Sequence, residues 1–221
     1  MSFPAEPYAR WCRRVTDGSA VFGVVAWLLF RGLLAAGAES FVASVAESAV
    51  VLAVLVLVPL VLHLSLTESA DGDLPRPYVV AVFLQPIAGL LVPFSFLLPE
   101  GAMAGVLVLP WLAVVACLTA FGLWRLLPRG TADTAELSID AGLLYVPIGG
   151  VALVLHRLGL GFLQFGALLV LLAAMHFHFA GLTLPVLSGV AARTLPDEGR
   201  VGAVVDAALW TIILGPVFIL V

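Results

Sequence analysis

Seven apolar stretches dominate this sequence, and each is long enough to cross a lipid bilayer. A spanning helix needs about twenty predominantly apolar residues. Of the 221 residues, 62% are hydrophobic and 11% are charged, whereas an ordinary soluble domain has about 25% charged residues. The predicted spans are 20–37, 47–66, 78–98, 102–126, 139–156, 161–186 and 201–221.

Such a chain is predicted to be embedded in the lipid bilayer, where a helix satisfies its own backbone hydrogen bonds. We therefore predict an all-α polytopic integral membrane protein, a seven-transmembrane-helix bundle. Residues 1–221 would form a single transmembrane domain in the cell membrane. The predicted partners are the bilayer, a lipophilic small molecule and a second copy in a homo-oligomer. A net charge of −4 with no basic patch predicts no nucleic-acid partner.

The arginines predict the orientation of the bundle, because basic residues favour the cytoplasmic ends of spans. With the N-terminus in the cytoplasm, only Arg157 falls outside, and Arg31 lies within the first span. The C-terminus then lies outside. The arginines that fall inside are Arg10, Arg13, Arg14, Arg76, Arg125, Arg129, Arg193 and Arg200.

Two charged residues near the outer side form a candidate polar cluster. A charge at the bilayer centre costs about 2.5–3.5 kcal/mol on insertion scales, so Arg31 within the first helix should have a carboxylate partner. Glu47, at the facing depth of helix two, is the first choice. Alternatively, Arg31 extends to the interface and Glu47 simply begins its helix.

The cytoplasmic half holds the candidate catalytic site. Asp206, about five residues into the predicted seventh helix, is the candidate acid, with His63, His176 and His178 as candidate proton-transfer residues. Asp140 is the less convincing acid, because a carboxylate is favourable in the first turn of any helix. The candidate substrate-binding residues are Gln85, Phe177, Trp111 and Trp210.

His176 and His178 cannot both face one small pocket if helix six is regular. Residues two apart on an α-helix point about 200° apart. Either one histidine hydrogen-bonds to a neighbouring helix, or Gly181 and Pro185 distort the turn. No cofactor is predicted. A metal ion or haem held by His63, His176 and His178 is the alternative, although their spacing matches no recognised ligand motif.

Helix six also carries a family resemblance. The run from Met175 to Pro185, His-Phe-His-Phe-Ala-Gly at its centre, resembles the signature of YndJ-like membrane proteins. The resemblance implies a polytopic membrane protein, and transport is often ascribed to this family without a defined substrate. The positions carried over are His176, His178, Gly181 and Pro185. The resemblance favours a site on helix six more than it favours any reaction.

Two main functions fit these features. The first is a membrane-embedded enzyme of cyclase or isomerase type that acts on a lipophilic, isoprenoid-like substrate by acid–base chemistry. Asp206 would be the acid, and Phe177 and Trp210 would stabilise a developing cation. The second is a small transporter or proton-coupled carrier, favoured by proline-containing helices and a weak repeat between 58–64 and 151–158. A metal- or haem-binding module is the third.

Overall fold

The computed structural model describes residues 3–35, 41–66, 73–161, 165–196 and 198–218. Within these ranges seven helices are long and apolar enough to cross a membrane, which confirms the predicted multi-pass membrane protein. The spans, numbered one to seven in chain order, are Tyr8–Leu33, Phe41–Ser65, Arg76–Phe96, Ala102–Arg129, Thr134–Arg157, Ala167–Ala192 and Gly199–Phe218.

Two of the spans change helix type midway. The second span contains a π-helical stretch at Ala53–Leu57, here called the first π segment, and the sixth contains one at Phe177–Thr183, the second π segment. The α-helices are α1 Ala5–Ala35, α2 Phe41–Leu52, α3 Val58–Ser65, α4 Arg76–Phe96, α5 Ala102–Arg129, α6 Thr134–Arg157, α7 Ala167–His176, α8 Leu184–Ala192 and α9 Gly199–Phe218.

The first helix begins earlier than the sequence predicted. α1 starts at Ala5, because its first turns are amphipathic rather than apolar. Ala9, Cys12, Thr16 and Ala20 recur every three or four residues and are buried, so they form one stripe against the bundle. Arginines on the opposite side are exposed. Ahead of α1, the strand β1 (Phe3–Pro4) pairs with β2 (Asp73–Leu74) in antiparallel orientation.

Prolines do not end the helices that contain them. α4 runs continuously through Pro86 and Pro93, α5 through Pro110, and α6 through Pro147. The third span is therefore one continuous helix. Within a membrane bundle, neighbouring helices and side chains re-satisfy the carbonyls that a proline leaves free.

α6 is the central helix of the bundle, and glycines let its neighbours approach closely. A side chain on Gly142 would lie 2.8 Å from the backbone oxygen of Leu182, and one on Gly150 would lie 3.0 Å from Val115. Small residues at such contacts are typical of membrane helix packing. α1 and α9 lie at the periphery, where residues such as Val21 (71% exposed) contact lipid.

The two ends of the bundle are called here the proximal face, where α1 begins, and the distal face, where α1 ends. The helices alternate in direction, so α3 and α5 end at the proximal face and α6 begins there. α4 and α6 end at the distal face. Which face is cytoplasmic stays a prediction from the arginine distribution.

Candidate functional site

The two π segments pack against each other in the middle of the bundle. A π-helix bonds each N–H to the carbonyl five residues back, as Val58 does to Ala53 and Leu184 does to Phe179. This longer step leaves a carbonyl without its usual partner. π-helical turns within α-helices occur frequently at functional sites, so this region is the first candidate.

In each π segment a polar side chain donates a hydrogen bond to one backbone carbonyl. The Gln85 amide donates to the Val54 oxygen at 3.0 Å, and the Thr183 hydroxyl donates to the His178 oxygen at 2.8 Å. Gln85 is 2% exposed and Thr183 is 8% exposed. A buried carbonyl without a partner costs about 1–3 kcal/mol, so these two side chains stabilise the π geometry.

His178 is fully buried in the second π segment, and both of its ring nitrogens are bonded. Trp111 Nε1 donates to His178 Nε2 at 3.1 Å, and His178 Nδ1 donates to the Ala174 oxygen at 2.7 Å. Because an indole N–H only donates, Nε2 must be the acceptor, and the ring is neutral. The ring fits because position 149 is glycine, where a Cβ would lie 2.8 Å from His178 Nδ1.

His176 lies on another side of the sixth span from His178. Its ring is partly exposed, meets Phe177 edge-on at 5.3 Å, and has no hydrogen bond to Nε2 within the described residues. The sixth span is distorted around Gly181, where it is π-helical, as one of the two alternatives in the sequence analysis expected. Even so, the distortion does not bring the two histidines into one pocket.

The other predicted catalytic residues are also separated. His63 Nδ1 lies 2.8 Å from Asp17 Oδ1, in a pair that is partly open to the surface. Asp206 is exposed, which corrects the expectation of a buried acid. It lies on the same stripe of α9 as Gly202 and Leu209, but α9 is peripheral and no described element covers the carboxylate. Trp210 is also exposed.

The predicted pair of Arg31 and Glu47 is not among the ion pairs of the described ranges. Arg31 Nη1 instead donates to Ser44 Oγ at 3.4 Å. Among the described residues, Arg157 and Glu100 are the charged groups within electrostatic range of Glu47. Glu47 is thus part of a distal cluster, defined here as Glu47, Glu100, His156 and Arg157.

In the distal cluster, Arg157 is 3% exposed and is held by backbone oxygens. Its Nη2 donates to Ser95 at 2.9 Å and to Leu98 at 2.7 Å, and its guanidinium lies 4.9 Å from the centre of the Phe96 ring. His156 Nδ1 lies 3.2 Å from the Ala167 oxygen. Its Nε2 is 3.8 Å from Glu100 Oε1.

Among the described residues the buried acid is Asp140, in an ionic network at the proximal face. Arg125 Nε donates to Asp140 Oδ1 at 2.7 Å, and Arg125 Nη2 donates to Glu136 Oε2 at 2.7 Å. Arg129 also bonds Asp140, and Arg193 Nε lies 2.5 Å from Glu136 Oε1. These five residues, Arg125, Arg129, Glu136, Asp140 and Arg193, are called the proximal network.

Sequence reasoning missed this network, although a signal was present. Arg125 and Arg129 are four residues apart at the end of one helix, and Glu136 and Asp140 are four apart at the start of the next. Residues four apart share a helix face. The short connecting turn then places two positive and two negative charges opposite each other.

An apolar groove of about 420 Å³ opens between α5 and α6. Its lining comprises Leu112, Val115, Ala116, Thr119, Ala120, Leu123, Pro147 and Val151. No titratable side chain is among them, and none of the predicted catalytic residues reaches it. Across the described residues, no group of three or more His, Cys, Asp or Glu side chains is arranged to hold a metal ion.

Seven apolar helices with buried ionic and polar groups between them define a polytopic α-helical membrane protein. The chain belongs to the YndJ-like family: the family model described as YndJ-like protein matches residues 48–221. This confirms the resemblance read from helix six.

A curated relative extends beyond the matched region. The chain is 28% identical over 204 residues to the protein named uncharacterized membrane protein YndJ of Bacillus subtilis (strain 168). The match covers 89% of this chain and 34% of that protein, so the chain spans about a third of the length of the curated relative it matches. No solved structure matches the chain.

Proposed function

We propose that this chain is a membrane carrier module, a transporter or proton-coupled carrier, in which the paired π segments form the part that moves. The observation that carries the proposal is the contact between the two π segments in the middle of the second and sixth spans. Carriers of known type place their sites near the bilayer midplane, where helices are interrupted.

The polar groups around the π segments support the same function. Gln85, Trp111, His178 and Thr183 are buried within the spans and form hydrogen bonds across or along them. Buried polar groups in a membrane bundle often mark a solute or proton path. All four side chains are buried, so in a carrier this conformation would be the occluded one.

The enzyme hypothesis has less support from the geometry. It needs an acid beside an apolar pocket, but the groove between α5 and α6 has Thr119 as its only polar lining residue. Asp206 and His63 lie near the surface and away from His178. A metal-dependent function has no matching ligand group within the described ranges.

Cysteine accessibility tests the carrier proposal without a known substrate. Cys12 and Cys117 would first be replaced by serine, and Thr183→Cys would then be treated with a membrane-impermeant maleimide in sealed vesicles of both orientations. A carrier exposes its central site to one face at a time. We therefore expect Thr183→Cys to react from at least one face.

Two variants set the limits of this measurement. Ala132→Cys lies in the exposed turn between α5 and α6 and should react fully from its own face. Thr119→Cys lines the lipid-facing groove and should stay unreactive. The carrier proposal is abandoned if Thr183→Cys is as unreactive as Thr119→Cys from both faces.

A further inference from the structure

We infer that the distal cluster is a binding site for a primary ammonium group. The cluster combines side chains from two spans and one turn: Glu47 on α2, Glu100 between α4 and α5, and His156 with Arg157 at the end of α6. The inference goes beyond the carrier proposal and does not require it, because a site for an amine can also serve a protein that transports nothing.

The first argument is a mismatch of hydrogen-bonding groups. His156 Nδ1 lies 3.2 Å from the backbone oxygen of Ala167, and a carbonyl only accepts. Nδ1 therefore carries a hydrogen, and when the ring is neutral Nε2 is an acceptor. Nε2 lies 3.8 Å from Glu100 Oε1, so in the neutral form two acceptors face each other, and no described residue donates to Nε2.

Burial makes this mismatch costly. His156 is 5% exposed, and its Nε2 has no hydrogen-bond partner in the described structure. A buried polar atom without a partner is unfavourable, because it has lost its hydrogen bonds to water. A donor with at least two hydrogens would bond both acceptors at once. A primary ammonium group has three N–H groups and can therefore do so.

The second argument is charge. With both carboxyls ionised and His156 neutral, the two negative charges of Glu47 and Glu100 exceed the single positive charge of Arg157 by one. Arg157 is already fixed by Ser95 and Leu98, and its Nε also lacks a partner. Because the acceptors face each other next to this excess charge, a cationic donor fits better than water. Glu100 is 41% exposed on its side chain, which gives the site access from the distal surface.

Two sources supply this chemistry at a membrane surface: a free primary amine and the headgroup of phosphatidylethanolamine. Both carry three N–H donors on a positive nitrogen. Their matched counterparts, tetramethylammonium and phosphatidylcholine, carry the same charge without any N–H group. Comparing each amine with its methylated counterpart distinguishes recognition through N–H hydrogen bonds from attraction by charge alone.

The test begins with the full chain in detergent. Its thermal unfolding midpoint would be measured in methylammonium chloride, potassium chloride and tetramethylammonium chloride at equal concentration. A ligand that binds only the folded state raises the midpoint. We expect a rise with methylammonium alone. Equal effects of the three salts would overturn the inference.

Two variants then locate the site. In Glu100→Gln, the new amide N–H can donate to His156 Nε2 and replace the ligand, so methylammonium binding should weaken about tenfold or more while the midpoint without ligand is kept. Glu47→Gln removes one of the two carboxylates and should also weaken binding. Asp206→Asn, away from the cluster, should retain the full response. A response that survives in both glutamate variants would place the ligand elsewhere and refute the inference.

The lipid source is tested in nanodiscs of phosphatidylethanolamine and of phosphatidylcholine. A higher midpoint in the first, lost in Glu100→Gln, identifies the headgroup as the ligand. Equal midpoints in the two lipids, with a response to methylammonium in detergent, identify a free amine. Because no transport is measured, the outcome is independent of whether Thr183→Cys becomes accessible.

Discussion

Arg125 and Asp140 face each other across the turn between α5 and α6, with 2.7 Å between Arg125 Nε and Asp140 Oδ1. Their side chains are 1% and 0% exposed. Arg125 also donates to the Ser65 oxygen at 2.9 Å, which ties the end of α3 to the same pair. One guanidinium thus joins three spans at the proximal face.

Asp140→Asn is expected to destabilise the protein strongly. Removing one partner of a buried ion pair costs about 3–5 kcal/mol, because the other charge is left without compensation. Unfolding in detergent, followed by circular dichroism, measures the loss. Arg200→Gln, an exposed arginine in the first turn of α9, is the control and should change little. A loss below about 1 kcal/mol for Asp140→Asn, the size typical of surface pairs, would contradict the buried pair.

Gly23→Ala should distort the first π segment. A Cβ at position 23 would lie 2.1 Å from the backbone oxygen of Leu55, so α1 or the π segment must shift. Overpacking of this kind costs about 1–3 kcal/mol. Gly18→Ala on the same helix has nothing within 4 Å of its new Cβ, and the change is expected to stabilise by about 0.5–1 kcal/mol. In the same unfolding assay, Gly23→Ala should lower the free energy of unfolding and Gly18→Ala should raise it. A change in the same direction for both variants would contradict the close contact at Gly23.

Trp111→Phe allows the energetic coupling between Trp111 and His178 to be measured. The substitution leaves His178 Nε2 without its donor in a fully buried place, at a cost of about 1–3 kcal/mol. In a double-mutant cycle with His178→Leu, the two losses should not add, with a coupling free energy of about 0.5–3 kcal/mol. Trp210→Phe, at an exposed tryptophan of α9, is the matched control. Additive losses would mean that the hydrogen bond contributes nothing.

Thr183→Val and Thr183→Ser should differ in the rate of amide hydrogen exchange in the second π segment. Valine removes the hydroxyl that donates to the His178 oxygen at 2.8 Å, whereas serine keeps it. We expect faster amide hydrogen exchange around Phe177–Thr183 in the valine variant only, because the local helix loses a stabilising contact. Equal exchange in both variants would show that the hydroxyl does not hold the π geometry.

Hydropathy was sufficient to predict the seven spans, because lipid selects long apolar stretches whatever their packing. It missed the start of α1, since Ala9 and Cys12 face the bundle while arginines beside them stay exposed. The π segments were not predicted either, because an extra residue in a helical turn leaves no trace in averaged hydropathy. Only Gly181 and Pro185 indicated a distortion there.

The candidate site was predicted only in part. His178, Trp111 and Gln85 were selected, and all three are buried at the π segments. Asp206 was preferred over Asp140 because a carboxylate early in a helix is commonly a first-turn residue. The choice depended on partners that lie on other helices, and a single sequence does not show which helices are neighbours. Asp140 is buried because Arg125 and Arg129 bond it from α5.

The glycine at position 149 has a consequence for how this family can vary. The His178 ring occupies the space that a side chain at position 149 would need, so the two positions, which lie on different spans, constrain each other's size. A larger residue at 149 is compatible only with a smaller one at 178. Relatives with a larger residue at the position of Gly149 should therefore also lack the histidine.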